Sequence, residues 1–198
     1  MTEDILAESH KDYFEEMKGP PDKERIITYL YCGGMKEDTE LIKRTVMSLS
    51  FPLIIEFDIR SEITEKLDDN YRHDKNPFEG MQKKKEESKD PLDMSELMYF
   101  VKIKKKNLSL KVSSAVEMHG KYGIIHGFRD YRDMFGLDPE NIDHLLAVLN
   151  ETRGFENFFF LASSLDAASL RLISCSGHLI FGSDPEYTDR IRRIKKML

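Results

Sequence analysis

Cysteine is scarce: Cys32 and Cys175 are the two in 198 residues. Two thiols do not make a disulfide framework. No Cys-x-x-Cys or Cys/His spacing of a zinc site occurs, so no metal and no cofactor is expected. Long apolar runs are absent as well. Runs such as Phe158 to Ala162 fall far short of the ~20 residues that cross a bilayer. The opening Met1-Thr2-Glu3-Asp4 has neither the basic region nor the apolar run of a signal peptide. The expectation is an intracellular protein, cytoplasmic or nuclear, with no membrane contact. An excess of positive charge is also missing: 30 Lys plus Arg stand against 36 Asp plus Glu, a net −6. That balance excludes a general nucleic-acid coat and leaves room only for a local basic patch.

What is present reads as a globular chain. Hydrophobic residues make up 40% and charged residues 33%, outside the range of collagen-like, mucin-like or wholly disordered sequences. The length suits one domain. Such a chain buries roughly 70% of its unfolded surface, enough for a core without staples.

Hydrophobic spacing sets out the elements. Residues 1–18 predict a helix that Gly19-Pro20-Pro21 stops. Arg25 to Tyr31 is an apolar run without polar alternation, as in a strand covered on both faces. Cys32-Gly33-Gly34 breaks it. A helix over 38–49 carries Leu41, Ile42, Thr45, Val46 and Leu49 on one side, and a second apolar strand runs from Leu53 to Ile59. Residues 61–96 differ in kind: 18 of the 36 are charged, which predicts a loop or disordered insertion, with a solvated helix as the alternative. Beyond it Tyr99, Val101 and Ile103 alternate, as do Leu108, Leu110 and Val112. This spacing predicts an antiparallel hairpin turning at Lys105-Lys106-Asn107. Tyr122 to Phe128 is a short apolar strand.

The last third is the most explicit. Asp138-Pro139 is an N-cap with proline at the first helical position, followed by Ile142, Leu145, Leu146 and Leu149 at helical spacing. Arg153-Gly154 closes that helix. Phe158 to Ala162 predicts a buried strand, Asp166 a cap for a helix through Leu170 and Ile173, and His178 to Phe181 a further strand. Asp184-Pro185 caps a last, basic helix. Alternating strands and helices of this kind predict a single α/β domain over 1–198: a mostly parallel sheet, helices on both faces, and a hairpin.

Ligands of open α/β sheets bind at the carboxyl ends of the strands. That rule selects Asp58, His126, Arg129, Asp130 and Ser163 as candidate ligand-binding residues. The loop from Cys32 to Thr39 lacks the second glycine and the lysine of G-x-x-x-x-G-K-[ST], and Glu37 and Asp38 would face a phosphate with negative charge. It therefore reads as a strand-to-helix turn. His126 has no HxH, HxxxH or cysteine partner nearby, so a polar strand end outweighs a metal ligand there. Ser163-Ser164 lacks the glycines of a nucleophile elbow, and Cys175 beside an apolar helix reads as buried and inert. No catalytic residue is assigned. Lys102, Lys104, Lys111, Arg192 and Arg193 are the candidate nucleic-acid contacts. Poor aromatic interleaving argues against base stacking, and a solvated face is the plainer reading.

The layout resembles the RecA-like P-loop ATPase core with its motifs lost. The strand ending at Tyr31, its Gly-Gly turn and the next helix resemble the Walker A region. Tyr122 to Ile125 with His126-Gly127-Phe128 resembles the Walker B strand, with His126 where a Mg²⁺-linked aspartate is expected. Gly177-His178-Leu179-Ile180-Phe181-Gly182 and its basic sequel are similar to the final core strand. The resemblance implies a non-catalytic member, similar to inactive recombinase paralogues and Elongator-type subunits that work by assembling with partners. Three functions follow as expectations. The first is a subunit with protein partners in a hetero- or homo-oligomer. The second is a small-ligand enzyme using the strand-end residues, and the third a nucleic-acid-associated accessory protein.

Overall fold

The computed structural model describes residues 22–31, 35–59 and 92–182, with Lys196. The predicted helix over 1–18, the turn at Cys32 to Gly34, most of the charged insertion, and the last helix with Arg192 and Arg193 lie outside the described residues. Twelve elements follow in order: β1 (Ile26–Leu30), α1 (Met35–Ser48), β2 (Pro52–Glu56), α2 (Met94–Lys102), α3 (Leu108–Ala115), β3 (Glu117–His119), β4 (Tyr122–Ile125), α4 (Tyr131–Met134), α5 (Pro139–Glu151), β5 (Asn157–Ala162), α6 (Ala167–Cys175) and β6 (His178–Phe181). A short 3₁₀ turn, Lys23–Arg25, leads into β1.

The strands form one sheet in the order β3-β4-β2-β5-β1-β6. Every pairing is parallel except β3 with β4. The mostly parallel sheet with helices on both faces is thus as the sequence predicts. β1, β2 and β5 are buried at nearly every residue, which is why their sequences run apolar without alternation. On one face Ile27, Tyr29, Ile54, Ile124, Phe159 and Leu161 pack with Ile42 and Val46 of α1. On the other Ile26, Leu53, Ile55, Phe158 and Phe160 pack with α2, α3, α5 and α6. Each fully buried side chain of this size stabilises by about 1.5–3 kcal/mol relative to exposure.

One element differs in kind from its prediction. Residues 99–112 are not a hairpin; they belong to two helices. Met94, Leu97, Met98 and Val101 are all buried on one face of α2, a spacing of three and four residues that outweighs the local alternation. The chain does turn where expected, with Lys104 and Asn107 at positive φ. The antiparallel hairpin of this fold is instead β3–β4, with Gly120 at φ 61° in its turn. Residues 94–96, the end of the charged segment, open α2, whose N-cap Asp93 accepts from the Glu96 amide.

Candidate functional site

The parallel strands bring their carboxyl ends to one edge of the sheet. Ile55 lies opposite Ile125, Ile59 bridges Phe128, and the Phe128 amide donates to the Asp58 carbonyl at 2.8 Å. Asp58 and His126 therefore share that edge. Both Asp58 oxygens are engaged: Tyr31 donates its phenol to Oδ2 at 2.7 Å and the Ile59 amide donates to Oδ1 at 2.7 Å. Glu56 is fully buried, and its Oε2 accepts the Gly127 amide at 2.9 Å. His126 Nε2 lies 2.8 Å from Glu117 Oε2, so the ring N–H donates to that carboxylate. His119 Nε2 is 3.6 Å from the other Glu117 oxygen, and its ring stacks on Tyr122.

A second cluster sits under the first turns of α1. Asp38 is 2% exposed, and Tyr29 donates its phenol to Asp38 Oδ1 at 3.0 Å. A Cβ on Gly182, at the end of β6, would stand 3.0 Å from Asp38 Oδ2. Glycine there lets the strand end approach the carboxylate. Burial, then the hydrogen bond and charge of Asp38, push the Tyr29 phenol well above its ordinary ionisation range. Tyr29 thus stays a donor and Asp38 an acceptor.

The other candidates serve helix ends. Arg129 pairs with Asp93 and, at 3.4 Å, with Glu96, and its amide donates to Ser95 Oγ at 2.9 Å. It clamps the start of α2 rather than joining His126. Asp130 is the N-cap of α4, and hydrogen bonds from Arg132 hold its carboxyl down at about 2. Ser163 follows β5 at the same sheet edge, half-buried. Its neighbour Ser164 donates to Asp166 and contacts Ser169 in the cap of α6. Cys175 is buried. Of the candidate nucleic-acid contacts, Lys102 is exposed at the end of α2. Lys104 pairs with Glu140 at 2.8 Å, and Lys111 lies over the Phe100 ring at 5.0 Å.

Glu56, Glu117 and Tyr31 were not among the sequence candidates. Glu56 had a signal: a charged residue closing an apolar strand. Glu117 had none, because its role depends on β3 folding back beside β4. The polar groups of this edge bond mainly to one another, an arrangement suited to fixing strand ends. Among the described residues, no three His, Cys, Asp or Glu side chains are gathered as metal ligands, and no helix is long and apolar enough to cross a membrane.

No family model and no curated protein matches the chain. Among solved structures, the chain is similar to the ParA family ATPase from Chlorobium tepidum TLS. The TM-score is 0.53 at 10% identity, over 88% of this chain and 67% of that one. At that identity the likeness shows the fold alone: a mostly parallel α/β sheet layered with helices.

Proposed function

We propose that the chain is a non-catalytic α/β subunit that acts by protein association, on a P-loop-type fold whose phosphate cradle has been closed by an acid. The observation that carries this reading is Asp38. In a P-loop fold the turn between β1 and α1 faces the phosphates, because free amides and the helix dipole attract anions there. Here the first turns of α1 hold a buried carboxylate fixed by Tyr29 and packed against Gly182. A fixed negative charge in a site of low dielectric repels a polyphosphate. The acids at the neighbouring strand ends support the same reading, since Tyr31, Ile59 and Gly127 occupy them from within.

The test is purification of the tagged full chain from its own cells under native conditions. A stoichiometric partner that co-elutes through size exclusion is the expected result. A lone monomer that hydrolyses nucleotide overturns the reading.

A further inference from the structure

The corner formed by α2 and α3 is basic in an acidic chain. Between Glu96 and Glu117 there are five lysines and no acid, in a protein of net charge −6. Apolar side chains stand out beside them: Tyr99 is 60% exposed, Ile103 49% and Leu110 67%. Tyr99 and Ile103 are one helical turn apart, joined by the Ile103 amide donating to the Tyr99 carbonyl, so they share a face. The ammonium groups of Lys105 and Lys111 lie 5.1 and 5.0 Å from the Phe100 ring. Lys104 is held by Glu140. Lys102 and Lys106 are exposed and make no ion pair among the described residues.

We infer that this corner docks an acidic protein segment that carries apolar anchors. The inference rests on the association reading above and gives it a surface. Charge complementarity supplies the sign of the partner: a lysine-rich stretch with no acid between Glu96 and Glu117 steers an acidic segment and disfavours basic ones. The exposed apolar residues distinguish protein from nucleic acid. Tyr99, Ile103 and Leu110 offer the large apolar contacts that centre protein interfaces, whereas a phosphate backbone would use the lysines and leave these wet. A membrane surface fits less well. The apolar stripe of α2 (Met94, Leu97, Met98, Val101) is already in the core, so no continuous apolar helix face remains to enter lipid.

The test uses the full chain against a display library of short random peptides, with anisotropy on those selected. Selected peptides are expected to be rich in Asp and Glu around Leu or aromatic residues. Lys102→Glu with Lys106→Glu should weaken their binding about tenfold and flatten its salt dependence. Tyr99→Ser, and separately Leu110→Ser, should weaken it without changing the salt slope; these positions are exposed, so folding is preserved. The inference is overturned if no peptide is selected, if selected peptides are no more acidic than the library, or if the double reversal leaves binding unchanged. It is also overturned if single-stranded DNA or phosphatidylserine vesicles bind more tightly than the peptides and lose binding on the same reversal. A native partner that stays bound to the reversed chain removes the corner and leaves the association reading standing.

Discussion

Two glycines stand where a side chain would collide with a neighbouring element. A Cβ on Gly177 would come 2.5 Å from the Lys23 carbonyl oxygen, and one on Gly123 would meet Val116 Cγ1 at 2.7 Å and Phe155 at 2.9 Å. Side chains can shift; a carbonyl that already accepts the Gly177 amide at 2.8 Å can hardly retreat. Gly177→Ala should destabilise by about 1–3 kcal/mol, more than Gly123→Ala; urea midpoints of the two variants check the order. Tyr29 gives a pH signature. Its phenol ionises near 10 when unfolded and is raised in the fold by burial and Asp38. Above that pH the unfolded chain releases a proton that the folded chain keeps, so stability is complete below about pH 10 and falls as pH climbs past it. Tyr29→Phe should remove that part of the alkaline decline, as urea unfolding from neutral to alkaline pH would show. Neither behaviour was legible from the residues alone. Asp38 was readable as an unwanted charge beside a phosphate loop, but its inward bond to Tyr29 depends on how α1 lies across β1.

Elements were legible where one signal acted alone. Asp138 caps α5 with the full reciprocal box to Asn141, and β5 and β6 stand where the apolar runs put them. The segment 94–115 failed because two periods overlap in it. Its inward residues Met94, Leu97, Met98 and Val101 follow the helix, while Tyr99, Val101 and Ile103 mimic a strand, and two of those three are exposed. A helix that keeps apolar residues outside its buried stripe blurs its own period, and here the blur coincides with the proposed docking corner. The packing of α2 against α5 is acid-sensitive. His144 of α5 is buried, and burial lowers its basicity from the ordinary 6.5 although the Val101 backbone favours the charged ring. As pH falls below about 6.5 the unfolded chain takes a proton that the folded chain resists, so stability present above that pH is lost as it falls. His144→Gln should flatten the decline between about pH 7 and pH 5 relative to the parent chain, measured by urea unfolding at each pH.

At the scale of the whole molecule, fold class was legible because strands and helices alternate, and strand order was not. Order depends on which crossovers skip a neighbour. β5 inserts between β2 and β1, and β6 pairs on the far side of β1, a long-range outcome that no local window contains. That insertion also decides what surrounds the head of α1. β1 sends Tyr29 to Asp38, and β6 on its outer side brings Gly182 against the same carboxylate, so Asp38 is packed from two strands at the head of the helix. A ligand that binds only the folded chain must raise its stability by mass action, about 2.7 kcal/mol at a hundredfold excess over Kd. For a chain of this length that is a Tm rise of roughly 5–10 °C. With Asp38 in place, saturating MgATP should leave Tm unchanged in a thermal melt of the full chain. A rise of that size would mean the carboxylate yields to phosphate, and both the closed cradle and the non-catalytic reading would fall together. A partner complex that forms while Tm stays flat in nucleotide would instead locate the binding energy on the outer surfaces of the molecule, where the lysine corner lies.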